Sequence, residues 1–395
     1  MATAGLPNAR QRRAHDVLAG YVDRGEIPGL VALTCQHGET HVDTIGALSF
    51  GGRPVTRDTI FRISSMTKPV IAAAAMILVE ECVLRLDDPV DRWLPELADR
   101  QVLTSMAAPV SETVPAQRPI TVRDLLTFRL GLGLILAPPG TYPIQEAVAG
   151  LDIGDGPPSP DSVPAPDEWL RRIGTLPLLH QPGEKWLYNT GSDVLGVLLA
   201  RATGQELGAF LHERIFDPLG MIDTGFSVSS AKLDRFATSY ATHTGSLTVY
   251  DDAVGGQWSR PPAFPSGGGG LVSTVDDYLA FARMLLTGGG PILSRASVAL
   301  MTADQLTSEQ KALSGLYPGH FDNRGWGFGM QVVTRRDDIA ATPGQYGWDG
   351  GLGTSWSTDP GEDLVVILMT QRAWSAPSPS NYLRDFRTSV YQSLD

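Results

Sequence analysis

The chain has 395 residues, 42% of them hydrophobic and 19% charged, and carries a net charge of −12. That length and apolar content suffice for a large buried core in two or three domains. The acidic balance argues against nucleic acid or an anionic membrane as partner, because both select basic surfaces. No stretch reaches the ~18 apolar residues that span a bilayer. The segment from Met1 to Arg13 lacks the hydrophobic core of a signal peptide, so a cytoplasmic protein is expected. Cys35 and Cys82 lie in apolar surroundings without metal-like spacing and read as reduced core thiols.

In chain order, residues 10–24 read as an amphipathic helix, and 30–35 and 41–46 as strands joined by a turn at His37-Gly38-Glu39. Residues 59–63 read as a strand running into a helix whose first turn carries Ser65 and Lys68. The body of that helix, 70–78, is apolar nearly all round and belongs in the core. Helical periodicity recurs at 121–128, 192–202, 205–215 and 275–286. Residues 137–166 are dense in Pro, Gly and Asp and read as a long surface loop, a length at which loops often cover sites. Residues 326–333, 354–358 and 364–370 read as strands, and 381–394 as a closing helix. Strand-rich ends thus enclose a helix-rich middle. An α/β (α+β) domain is expected from 1–85 and 290–395, with a mainly helical domain with long loops at 86–289.

Three residues apart on one helical face, Ser65 and Lys68 stand about 5–6 Å from each other at Cβ, so an amine can reach a hydroxyl. Serine is a poor nucleophile until a base takes its proton, and lysine is that base only when desolvation lowers its pKa. The helix start also offers unpaired N–H groups to an oxyanion. Ser229-x-x-Lys232 and Ser308-x-x-Lys311 match the same spacing, but both sit in polar stretches where a lysine stays solvated and protonated. Lys68 leads into an apolar run, and a buried lysine is rare unless paired or functional. The bland reading makes Ser65 a helix cap and Lys68 a surface residue.

Two more constellations bear on Ser65. Tyr188, in Trp186-Leu187-Tyr188-Asn189-Thr190, precedes a helix and could act as phenolate or proton relay beside an amine, or simply pack under that helix. Gly347-Trp348-Asp349-Gly350-Gly351-Leu352-Gly353 could bring backbone close to a substrate and leave the Gly351 amide free to donate, or form a plain glycine-rich hairpin.

Taken together, Ser65-x-x-Lys68, the Tyr188 motif and Trp348-x-Gly350 occur in the order that resembles the serine β-lactamase and penicillin-binding-protein superfamily, nearest to class C β-lactamases and family VIII carboxylesterases. Phe61-Arg62-Ile63-Ser64-Ser65, Phe216-Asp217-Pro218-Leu219-Gly220 and Gly268-Gly269-Gly270-Leu271 look like family segments too, and the similarity covers nearly the whole chain. The resemblance implies Ser65 as nucleophile, Lys68 with Tyr188 as base system, and the amides of Ser65 and Gly351 as oxyanion hole. It implies an antiparallel sheet flanked by helices, an inserted helical domain, and a site in the cleft between.

Two departures bear on substrate. Class C enzymes carry Tyr-x-Asn, where this chain has Thr190 in place of the asparagine, and Lys-Thr-Gly, where this chain has Trp348-Asp349-Gly350. Both changes disfavour penicillin and cephalosporin hydrolysis. The Trp-x-Gly form is similar to family VIII esterases and implies a serine carboxylesterase acting on small-molecule, short-chain esters, with Trp348, Asp349, Gly350 and Thr190 at the substrate. An acyltransferase, an amide hydrolase, a weak β-lactamase and a non-catalytic binder are the alternatives. The seven histidines are scattered without a His-Glu-x-x-His pair, so no metal or other cofactor is expected.

Overall fold

The computed structural model describes residues 9–154, 156–243 and 245–394. Its main sheet has seven strands. They are β1 (Gly29–Gln36), β2 (Glu39–Gly46), β3 (Arg324–Trp326), β4 (Gln331–Val333), β5 (Tyr346–Gly350), β6 (Thr354–Asp359) and β7 (Leu364–Thr370). Their spatial order is β2-β1-β7-β6-β5-β4-β3, with every neighbouring pair antiparallel. Segments from the two ends of the chain therefore meet at the centre, Leu30 opposite Thr370 and Gln36 opposite Leu364.

The helices that position the site are α1 (Ala9–Asp23), α2 (Thr67–Glu80), α3 (Val122–Leu126), α4 (Thr190–Thr203), α5 (Val275–Leu286) and α6 (Asn381–Tyr391). β1 and β7 are apolar at successive positions because both faces of the sheet are covered. Leu30, Ala32, Leu364, Val366 and Leu368 pack with Leu18 and Tyr21 of α1 and Leu383 and Phe386 of α6. Val31, Leu33, Val365, Ile367 and Met369 face the main core, which contains α2. Every residue of α2 from Thr67 to Leu78 is buried, as its all-round apolar pattern predicts. α5, although it falls within the 86–289 range, lies against β7, β1 and β6.

Four local expectations are corrected. Residues 326–333 are not one strand: β3 ends at Trp326 and β4 starts at Gln331, because Gly329 turns at φ +70° with its Cα against Lys68. A Cβ there would lie 2.7 Å from the Lys68 carbonyl oxygen. Residues 205–215 divide into a short α-helix, Leu207–Leu211, and a π-turn, His212–Phe216. Residues 137–166 contain a helix, Pro143–Ala149, opened by a proline whose missing N–H costs nothing at a helix start. Of the two thiols, Cys35 is buried and Cys82 is exposed.

Candidate active site

The short strand Phe61–Arg62 pairs with Val272–Ser273 and delivers the chain into a single 3₁₀ turn, Ser64–Met66. Ser65 lies in this turn, and α2 begins only at Thr67, a correction to the expectation that Ser65 opens the α-helix. Ser64 adopts φ +48°, sparsely populated for a side-chain-bearing residue, and the surroundings hold it there. Ile63 donates its N–H to Leu271 O at 3.0 Å and accepts from Thr354 Oγ1 at 3.1 Å. Tyr278 OH donates to Met66 O at 2.9 Å. Arg62, just upstream, is buried against Asp251, with Nε 2.9 Å from Oδ2 and its guanidinium 4.0 Å from the Phe236 ring centre. The Ser65 turn is thereby fixed from both sides.

Lys68 is 1% exposed. Its Nζ lies 3.0 Å from Ser65 Oγ and donates to Asn189 Oδ1 at 2.8 Å and to the carbonyl of Gly268. Burial pulls its pKa down from 10.5 to about 7, with the charge of Asp193 opposing the fall. A neutral amine has two N–H donors and one lone pair. Two carbonyl-type acceptors take both donors, which leaves the lone pair for the Ser65 hydroxyl proton. The other two Ser-x-x-Lys matches are built differently. Lys232 pairs with Asp223 at 2.7 Å and Lys311 pairs with Asp304, and neither stands beside the serine of its motif in the way Lys68 does.

Tyr188 shares a hydrogen bond with the Ser65 side chain and accepts one from Trp348 Nε1 at 2.7 Å. Burial pushes its pKa well above 10. The Lys68 ammonium position lies over the ring, 4.6 Å from its centre, rather than beside the oxygen. The phenolate role is therefore disfavoured and the relay role fits, with a protonated phenol bridging toward Ser65. Phe128, Trp186, Trp326 and Trp348 surround the ring and set its tilt.

Asn189 and Gly268, both on Lys68, and Asp193 were not singled out by sequence reasoning. Asn189 stands one position before the one the Tyr-x-Asn pattern assigns, so alignment to that pattern finds Thr190 instead. Asn189 reaches the amine because its backbone takes φ 85° and ψ −67° immediately before α4. Thr190 is the first residue of α4 and is not among the cavity walls.

The segment 347–350 belongs to β5 rather than to a hairpin loop, and the turn comes at 351–353. A Cβ at Gly350 would lie 2.3 Å from the Ile63 carbonyl oxygen, so this glycine lets β5 close on the Ser65 turn; its own place is in that packing, not in the cavity wall. Gly351 follows with open space where a side chain would project. Its N–H, like that of Ser65 in the 3₁₀ turn, has no partner among the described residues. Asp349 is at the cavity wall, but its carboxylate is held by Arg387 Nη2 and Ser355 Oγ, both at 2.7 Å.

Ser65, Tyr188, Trp348 and Gly351 line one end of a cavity of about 800 Å³. The 137–166 segment roofs it through Gly154, Pro157, Pro158, Pro160 and Val163. Tyr250 OH fastens this roof by donating to Pro158 O at 2.7 Å, and Ser159 Oγ by donating to Gln257 Oε1 at 2.9 Å. Most of the remaining wall is apolar or aromatic, including Phe264, Leu316, Tyr317 and Trp374.

Known proteins resemble this chain over most of its length. Esterase EstB of Burkholderia gladioli is 34% identical over 89% of this chain and 87% of its own. Lovastatin esterase of Penicillium rubens is 30% identical over 87% of this chain and 88% of its own. The structure described as EstCE1, a hydrolase with promiscuous acyltransferase activity, superimposes with a TM-score of 0.77 at 28% identity, covering 97% of this chain and 98% of that one. The family profile described as Beta-lactamase matches residues 14–386. An antiparallel sheet closing on a Ser-x-x-Lys turn, continuous likeness to esterases of the same build and the profile match together place the chain in the β-lactamase family, among its serine hydrolases and acyltransferases.

Proposed function

We propose that the protein hydrolyses carboxylic esters through an acyl-enzyme on Ser65. The observation that carries this reading is the buried Lys68 amine, 3.0 Å from Ser65 Oγ with acceptors for both of its N–H groups. With a pKa near 7 the amine is substantially neutral at physiological pH, where a base is most effective. It takes the Ser65 proton as Oγ bonds to the ester carbonyl carbon. The carbonyl oxygen becomes an oxyanion and accepts from the N–H groups of Ser65 and Gly351. Collapse breaks the bond to the alkoxide, which takes the proton held by Lys68 and leaves as the alcohol. Water then attacks the acyl-enzyme, giving up its proton to the same base, and Ser65 is regenerated as the carboxylic acid departs.

Two features support an ester over a β-lactam. Trp348 occupies the place of the family's lysine, and it spends its only donor on Tyr188. The neighbouring carboxylate of Asp349 is already neutralised by Arg387, so the pair offers little net charge to an anionic drug. The large, mostly apolar cavity supports an ester that joins a short acyl group to a bulky apolar alcohol, in keeping with a relative described as a lovastatin esterase. Such a cavity also holds an acceptor alcohol in place of water, and the relative described as having promiscuous acyltransferase activity favours this as a second reading.

A series of p-nitrophenyl esters from acetate to octanoate, with nitrocefin alongside and a bulky alcohol as competing acceptor, tests the proposal. Turnover that falls with acyl length and exceeds nitrocefin cleavage is the expected result. Preferred nitrocefin cleavage would replace the ester reading, and acyl transfer outrunning hydrolysis would make the second reading the main one.

A further inference from the structure

The chemistry above leaves the buried Asp193, at the cavity wall, without a part. Asp193, in the first turn of α4, is 8% exposed. Its Oδ1 accepts from Ser266 Oγ at 2.6 Å and from the Gly268 N–H at 2.8 Å. Gly268 in turn presents its carbonyl to Lys68 Nζ. The fit between α4 and this loop leaves no room for side chains on the loop. A Cβ at Gly268 would lie 2.7 Å from Asp193 Oδ2, and one at Gly267 2.4 Å from the Ser192 carbonyl oxygen.

Burial raises the Asp193 pKa above the usual carboxylate value, and the two donors on Oδ1, with the Lys68 charge, oppose that rise in favour of the anion. The anion and the amine act on each other: Asp193 opposes the fall of the Lys68 pKa, and Lys68 opposes the rise of the Asp193 pKa. Among the described residues, the titratable groups facing the amine are Asp193 from α4 and Tyr188 from the segment before it. The 266–270 loop and the 327–329 turn bring none. Arg387 and Asp349, at the cavity wall, are paired with each other.

We propose that Asp193 is a positioning residue for Lys68, latching the glycine loop whose carbonyl holds the amine and supplying the counter-charge that keeps the amine an effective base. The proposal rests on the reading of Lys68 as the base for Ser65. Without the counter-charge, desolvation alone acts on the amine, which becomes a weaker base and takes the serine proton less readily.

The test is Asp193→Asn, which keeps the shape and the Oδ1 acceptor and removes the charge. The chain has four lysines, Lys68, Lys185, Lys232 and Lys311, so ¹³Cε resonances can be followed through a pH titration and the Lys68 signal assigned with Lys68→Arg. The Lys68 midpoint should move down by about one pH unit or more, the size expected for loss of a close opposite charge. The acid limb of kcat/KM for p-nitrophenyl butyrate should follow it, with kcat down roughly tenfold and KM within about twofold. A folded Asp193→Asn protein whose Lys68 midpoint stays in place overturns the proposal. Should that variant fail to fold, Asp193→Ser removes the charge in a smaller side chain and should move the midpoint the same way; no movement there overturns the proposal equally. The resonance titration needs no substrate, so its outcome is independent of whether esters are turned over.

Discussion

Asn189 Oδ1 accepts a hydrogen bond from the Lys68 amine at 2.8 Å, and it does so from a backbone at φ 85° and ψ −67°. That conformation is rare for a residue with a side chain and costs roughly 1–3 kcal/mol. The contact and the strain can be separated. Asn189→Gly relieves the strain and loses the acceptor, so Tm should hold or rise while kcat falls about 10- to 100-fold. Asn189→Ala keeps the strain and should lower both. Full kcat in a stable glycine variant would mean that the side chain does not orient the amine.

The acid limb of the pH–rate profile should report Lys68. In the proposed mechanism the neutral amine is the active form, and burial draws its pKa down to about 7, so kcat/KM should rise as pH increases through that value. Stability carries the same signature. The folded-state pKa lies below the 10.5 of the free side chain, so between about 7 and 10.5 the unfolded chain holds a proton that the folded chain lacks. Stability gains roughly 1.4 kcal/mol per pH unit from this group within that window, and nothing changes below it. Lys68→Met should remove this rise while abolishing turnover. Parallel stability curves for the two proteins from pH 7 to 9 would show that the amine is not desolvated.

Arg62 and Asp251 form an ion pair with both side chains almost fully buried, on the strand that enters the Ser65 turn. Burial pulls the arginine pKa down to about 10, with Asp251 opposing. Removing one partner leaves the other charge buried alone, at a cost of about 3–5 kcal/mol. Asp251→Ala should therefore lower the denaturant midpoint sharply, and the ester activity of the remaining folded protein should fall with it as the Ser65 turn loosens. A loss under about 1 kcal/mol would place the pair among those worth little.

Much of this site is legible in the chain because its chemistry is local. Ser65 and Lys68 are three residues apart, and the apolar run after Lys68 identifies the helix as buried before any contact is known. Tyr188 and Gly351 follow from motif order. What stays hidden depends on contacts far apart in sequence. Gly268 and Lys68 are separated by 200 positions and Asn189 and Lys68 by 121, and neither pairing leaves a periodic trace. Thr190 illustrates the opposite error, since a template places the polar residue by spacing whereas a strained backbone at Asn189 delivers it one residue earlier. The strand boundaries near 326–333 escape for a similar reason: Gly329 turns the chain because α2 lies directly against it, a tertiary demand that alternation of residue types does not express. β1 and β7, apolar and buried on both faces, are plain from composition alone.

Gly350→Ala tests how tightly β5 is pressed on the Ser65 turn. The added methyl would sit 2.3 Å from the backbone oxygen of Ile63, which cannot rotate away. The variant should lose about 1–3 kcal/mol of stability and more activity than Gly351→Ala, whose methyl meets open space. Equal behaviour of the two alanine variants would contradict the close approach.

The central claim is that Ser65 is the nucleophile, and turnover of p-nitrophenyl butyrate by the wild-type protein and by Ser65→Ala tests it most directly. Loss of activity on the order of 10³-fold or more, with Tm unchanged, is the predicted result. Comparable turnover by both proteins would contradict the account.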